Sequence, residues 1–173
     1  MPKPLAVAIS GSPRSPSKSK RLAELMLRAL GGKGCETRLI DLATLPADAL
    51  LARGTAVDVN SAIAAVGDAR IVVAATPTYR ALYTGLLKAF FDLMPPSHLT
   101  GKLCVPAQTG ASPIHFLAVE YGLRPLFMSL DGVPLAGVYA TDGEFVDGEA
   151  SEELAGRVEA VASDVMEMAK TKQ

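Results

Sequence analysis

The apolar run Leu5-Ala6-Val7-Ala8-Ile9 empties into Gly11-Ser12-Pro13-Arg14-Ser15-Pro16-Ser17-Lys18-Ser19, a loop of hydroxyls and a guanidinium followed by a helical pattern. Hydroxyl donors, a cation and the N–H groups of a helix N-terminus favour a compact anion, above all a phosphate. Two better-known cradles are excluded by the letters. Gly32-Lys33 and Gly101-Lys102 lack the following hydroxyl and the upstream spacing of a GxxxxGK[ST] loop. The loop's lone glycine cannot supply the GxGxxG turn that admits a pyrophosphate. A hydroxyl-rich loop suits a terminal monophosphate; the plainer alternative is a polar turn in which Ser17 or Ser19 only caps the next helix.

Two further segments carry chemistry. Thr76-Pro77-Thr78-Tyr79-Arg80-Ala81-Leu82-Tyr83 sets an aromatic and a cation beside a fixed turn, where they can flank a flat ring or, more plainly, pack on the sheet edge. Gln108-Thr109-Gly110-Ala111-Ser112-Pro113 offers backbone N–H groups, small side chains and an expected helix N-terminus, which together favour negative charge on a heterocycle edge. A monophosphate cradle, an aromatic and cationic wall and an N–H loop fit flavin mononucleotide (FMN). Metal chemistry has no support: Cys35 and Cys104 stand far apart, and His98 and His115 complete no usual ligand spacing.

The elements that must bring these loops together alternate. Strands are expected at Leu5–Ser10, Glu36–Leu42, Ala69–Ala75, Leu103–Ala107 and Val133–Tyr139. Helices are expected from about Leu22 to a stop at Gly31-Gly32, at Ala47–Ala52, Val57–Val66, Leu82–Met94, Ile114–Leu130 and Ser151–Lys170. This pattern predicts an α/β fold: a flavodoxin-like, doubly wound, five-stranded parallel sheet of order 2-1-3-4-5 with helices on both faces, in one domain spanning residues 1–173. Ligands of such sheets sit outside the carboxyl ends of strands one and three, so the fold selects the same three loops. A phosphoacceptor receiver of this fold would need Asp at the end of strand three, where Thr76 stands.

Composition narrows the partners. Hydrophobic residues make up 49% and charged residues 20%, and no apolar run approaches a membrane span, so a cytoplasmic protein is expected. With 17 basic and 18 acidic residues, a net charge of −1 and no basic stripe, neither nucleic acid nor an anionic membrane is an expected partner. The same charge argues against a non-enzymatic flavodoxin-type electron carrier, which docks through a strongly acidic surface. The segment Leu82–Met94 is apolar on more than one face, which predicts deep burial or a subunit interface, hence a homodimer or homotetramer.

The set G-S-P-R-x-x-S-x-S at Gly11–Ser19, P-T-Y-R at Pro77–Arg80, Y-T-G-x-L-K at Tyr83–Lys88 and T-G-x-x-x-x-H at Thr109–His115 resembles the NADPH-dependent FMN reductase family. Within it, the chain is similar to the flavin reductases of two-component alkanesulfonate monooxygenase systems. The resemblance implies that Ser12, Arg14, Ser17 and Ser19 hold the FMN phosphate and that Pro77, Thr78, Tyr79 and Arg80 line the ring. It further implies that Thr109, Gly110, Ala111 and Ser112 face the pyrimidine edge, with Thr109, Gly110 and Ala111 stabilising charge there. Lys20 and Ala111 depart from the family's pattern. The implied activity is hydride transfer from NADPH or NADH to FMN, with reduced FMN passed to a partner monooxygenase and no protein nucleophile. An FMN-prosthetic reductase of quinones, azo dyes or metal ions would use the same cradle. Pro125 cannot donate to the carbonyl of Tyr121, so the helix must adjust there. The resemblance places a π-bulge and an oligomer contact at Tyr121.

Overall fold

The computed structural model describes residues 3–171. In it β1 (Leu5–Ser10), β2 (Glu36–Asp41), β3 (Ile71–Pro77), β4 (Leu103–Gly110), β5 (Val133–Pro134) and β6 (Val138–Thr141) form one parallel sheet. Its order is β2-β1-β3-β4-β5, with β6 also paired to β4. The expected flavodoxin-like order is therefore present, with its reversal between β1 and β3. Central strands read as unbroken apolar runs because both faces are covered: Ala6, Val7, Ala8, Ile9 and Ile71 to Ala75 have no exposed surface.

Alternate side chains serve two cores. Ala6, Ala8, Ile71, Val73 and Val105 meet α1 (Lys18–Gly32) and α6 (Glu152–Thr171) on one face. Val7, Ile9, Val72, Ala74 and Cys104 meet α2 (Ala47–Leu50), α3 (Val57–Asp68), α4 (Gly85–Asp92) and α5 (Arg124–Met128) on the other. Phe91 of α4 and Phe127 of α5 join the second core, their ring centroids 5.9 Å apart. No helix among the described residues is long and apolar enough to cross a membrane.

Several boundaries differ from expectation, each for a local reason. Helix α1 ends at Gly32, at the expected stop, but starts at Lys18, earlier than expected, and Gly34, with a φ of +97°, turns the chain beyond it. Gly34 N–H donates to the Gly31 carbonyl and Cys35 N–H to that of Leu30, so one left-handed glycine closes the helix in a Schellman motif. Helix α4 begins three residues later than expected, because Thr84 caps it by accepting from Leu87 N–H at 3.1 Å. Its excess of apolar residues is spent within the chain: Leu87, Phe90, Phe91 and Met94 are all buried.

The expected helix Ile114–Leu130 is three short pieces: a 3-10 turn at Pro113–Phe116, a π-helical turn at Val119–Leu123, and α5. Strand β3 reaches Pro77 and β4 reaches Gly110, since each finds a partner on its neighbour to the end. The expected fifth strand is split at Leu135–Gly137. The Gly137 backbone there passes so close to Pro106 that a Cβ would stand 2.7 Å from its carbonyl oxygen. A hairpin of β7 (Phe145–Val146) and β8 (Glu149–Ala150) was not anticipated, although its Asp147-Gly148 turn, both residues at positive φ, is a strong hairpin signal.

Candidate functional site

Register sets Ser10 beside Asp41 and Ala75, Pro77 beside Thr109, and Gly110 beside Thr141. The three loops singled out in the sequence thus leave one edge of the sheet side by side. Gly11 N–H donates to the Ala75 carbonyl at 2.7 Å, and Thr78 N–H to that of Thr109 at 2.7 Å. Gly11 must be glycine, because a Cβ would lie 2.9 Å from Leu87 Cβ.

In the first loop Ser12 is buried, and its hydroxyl donates to the Arg14 carbonyl while accepting from Arg14 N–H, both at 3.1 Å. Ser12 therefore shapes the turn. Ser17 caps α1 by accepting from Lys20 N–H at 3.1 Å, and its Oγ lies 3.4 Å from that of Ser19. The plainer capping role is real at Ser17, yet a hydroxyl that accepts keeps its proton to donate. Lys18 pairs with Asp142 at 3.1 Å and Lys20 with Asp41 at 2.7 Å. Among the described residues, the exposed Arg14 guanidinium has no partner in the protein.

The second loop is a tight turn. Tyr79 N–H donates to the Leu82 carbonyl at 2.8 Å and Leu82 N–H returns to that of Tyr79 at 3.2 Å. Arg80 and Ala81 between them are both left-handed, with φ of +49° and +69°. Such a turn favours glycine and asparagine, so two other residues here store strain. Tyr79 and Arg80 are exposed and face solvent beside the strand ends.

The third loop differs from expectation. Thr109 and Gly110 belong to β4, and no long helix follows, so its charge preference comes from local donors and not from a helix dipole. Ala111 and Ser112 are the first residues beyond the ladder. Gly110 is enclosed: a Cβ there would meet the Tyr139 hydroxyl and come within 3.1 Å of Thr78 Oγ1.

Whether such an edge suits FMN is tested by its unsatisfied groups. Ser10 Oγ and both amide atoms of Gln108 are buried without a hydrogen-bond partner, and Thr78 Oγ1 is buried beside the Tyr139 hydroxyl. They sit at or just past the carboxyl ends of β1, β3 and β4. Buried polar atoms are normally paired, so this edge has donors and acceptors to spend on a polar ligand or its waters. A groove of about 530 Å³ between α1 and α6, lined by Ala29, Gly32, Ala155, Gly156 and the Lys33–Glu159 pair, lies away from it.

A model of the NADPH-dependent FMN reductase family matches residues 4–147. The chain belongs to this family. The reductase is 36% identical over 143 residues to the FMN reductase (NADPH) of Escherichia coli strain K12, across 82% of this chain and 75% of that protein. It is 36% identical over 169 residues to the NADH-dependent FMN reductase SfnF of Pseudomonas fluorescens strain Pf0-1, across 94% and 90%. Among solved structures, the apo form of the NADH:FMN oxidoreductase EmoB superposes with a TM-score of 0.88 at 32% identity, covering 96% of this chain and 90% of that one. A flavodoxin of Streptococcus pneumonia TIGR4, at 18% identity and a TM-score of 0.65, shares the fold. The reductase is an NAD(P)H:FMN oxidoreductase whose cofactors are FMN and a nicotinamide nucleotide.

Sequence reasoning assigned no role to Ser10, Thr84, Gln108, Tyr139 or the Asp41 and Asp142 partners of the loop lysines. Ser10 and Gln108 end apolar strands, and a polar residue closing such a run is the signal that could have found them. Tyr121 lies in the π-helical turn, where Arg124 N–H reaches back five residues to the Val119 carbonyl, and its side chain is 76% exposed.

Proposed function

We propose that the reductase treats FMN as a substrate that enters and leaves, and that it supplies reduced FMN to a separate flavin-dependent monooxygenase. The observation that carries this reading is the openness of the ring wall. Tyr79, Arg80 and Ala111 are exposed, and the buried polar groups Ser10, Gln108 and Thr109 lie beneath them near the strand ends. A flavin held on so few enclosing contacts is exchangeable.

In this reading Arg14, Ser17 and Ser19 hold the phosphate, with Ser12 fixing their loop. Pro77, Thr78, Tyr79 and Arg80 flank the ring, and Thr109 to Ser112 meet its pyrimidine edge. The flavin, when bound, supplies the hydride-accepting chemistry. Donors at 109–112 favour negative charge placed beside them and need no reorganisation to do so. The relatives include both an NADPH- and an NADH-dependent reductase, so either nicotinamide is a candidate donor. A cytoplasmic setting, where both nucleotides are drawn from a common pool, belongs to the same reading.

A homodimer or homotetramer completes it. With α4 buried in its own chain, the candidate contact is the segment 114–121, where Ile114, Phe116, Leu117 and Tyr121 are exposed by 73, 51, 44 and 76%. Four exposed large apolar residues within eight positions favour a contact surface.

The test is gel filtration of protein preloaded with FMN, followed by NADPH and NADH oxidation with added FMN. Flavin lost from the protein peak, with turnover restored by free FMN, is expected. Flavin retained at one per chain, with a quinone or azo dye reduced faster than free FMN, overturns the supplier role.

A further inference from the structure

Tyr139 of β6 enters the site from a strand that the three-loop argument leaves out. Its hydroxyl donates to the Ser112 carbonyl at 2.8 Å, the same carbonyl that accepts from His115 N–H at 3.1 Å. Its oxygen stands over Gly110, where any Cβ would collide with it, while the Thr78 hydroxyl approaches the same point from the turn after β3. One end of the segment 110–112 is held in the ladder at Gly110, opposite Thr141. The other end is held by the phenol through the Ser112 carbonyl. Burial pushes the Tyr139 phenol above its ordinary range, which keeps it a protonated donor.

We propose that Tyr139 is a positioning residue: its hydroxyl, by pinning Ser112, presets the N–H directions of residues 110–112 that receive the flavin's pyrimidine edge. The inference rests on the reading of these residues as that edge's contact. A loop tethered at both ends loses little freedom when ligand arrives, which favours binding and above all the state that carries more negative charge. The ring alone cannot do this, since the tether is the oxygen.

The experiment measures dissociation constants of FMN and riboflavin by flavin fluorescence, and the midpoint potential of bound FMN. Wild type, Tyr139→Phe, Gly110→Ala and the double variant are compared, each checked for folding by circular dichroism. Tyr139→Phe is expected to weaken FMN and riboflavin by the same factor, about three- to tenfold, because one hydrogen bond is lost away from the phosphate. Reduced FMN should be weakened more than oxidised FMN, so the potential moves negative. Gly110→Ala should bind flavin poorly, and the double variant should bind better than the product of the two single losses, since the oxygen that the new Cβ would meet is gone. Unchanged flavin affinity in Tyr139→Phe, a loss confined to FMN, or equal losses for oxidised and reduced FMN would each overturn the proposal. If wild type itself binds neither flavin, the reading of the site fails instead.

Discussion

The Thr84 side chain joins the start of α4 to the loop after β1: its hydroxyl donates to the Gly11 carbonyl at 2.5 Å while accepting from Leu87 N–H at 3.1 Å. Its own N–H donates to Thr76 Oγ1 at 3.2 Å, so one buried residue ties the ends of β1 and β3 to a helix cap. Thr84→Val should cost about 1–3 kcal/mol, combining a lost cap with an unpaired carbonyl, whereas Thr84→Ser should cost far less. Urea denaturation of both variants measures this. A Thr84→Val variant that loses less stability than Thr84→Ser would show that the methyl packing matters and the hydroxyl does not.

Arg14→Ala should weaken FMN far more than riboflavin. A charge-assisted bond to phosphate contributes about 1.5–3 kcal/mol, or roughly ten- to a hundredfold in affinity. Titration of both flavins against the variant decides it; equal losses would remove Arg14 from the phosphate.

Ile114→Lys with Leu117→Lys should reduce the oligomer to single chains of 18.0 kDa in light scattering. Both residues are exposed in the single chain, so the folded monomer should lose little stability. A wild-type protein that already scatters as a monomer refutes the proposed contact.

Ala81→Gly should raise stability by about 0.5–1 kcal/mol, because its φ of +69° strains any side chain while glycine pays only a chain-entropy cost. Thermal denaturation gives the sign. A lower melting temperature would mean that the Ala81 methyl is held by contacts worth more than the strain.

Burial pushes the Cys104 thiol up to about 12 from an ordinary 9.0. The folded state therefore favours the neutral thiol. Its contribution is complete below pH 9 and is lost as pH rises from 9 towards 12, on the order of 4 kcal/mol at full extent. Cys104→Ala should be less stable at neutral pH but lose stability less steeply above pH 9. Parallel slopes for the two proteins between pH 8 and 10.5 would contradict the burial.

Much of this architecture is written in local patterns. The apolar runs at Leu5 and Ile71, the hydroxyl loop at Ser12–Ser19 and the Pro77–Arg80 turn are each legible because burial on both faces, capping and turn chemistry act over a few residues. What escaped depends on distant neighbours. Tyr139 reads as one residue of a strand until β6 is placed beside β4. The apolar excess around Phe90 reads equally as deep burial or an interface, and only the packed fold, which buries Phe90 and sets Phe91 against Phe127, decides for burial. Gly31-Gly32 reads as a stop and α1 does end there, but the left-handed turn that closes it belongs to Gly34. The break between Ile114 and Leu130 was signalled by Pro125, but the extent of the 3-10 and π-helical turns before it was not.

The carboxylates matched to Lys18 and Lys20 have a kinetic consequence. With both ammonium groups compensated by Asp142 and Asp41, the loop shows an approaching phosphate of about two negative charges little more than the charge of Arg14. Such a loop casts only a short field, most of it screened within about 8–10 Å at physiological salt. If this loop holds the flavin phosphate as proposed, capture of flavin runs close to an unsteered diffusional encounter, with little dependence on ionic strength. Release is not slowed by a basic funnel drawing the same anion back.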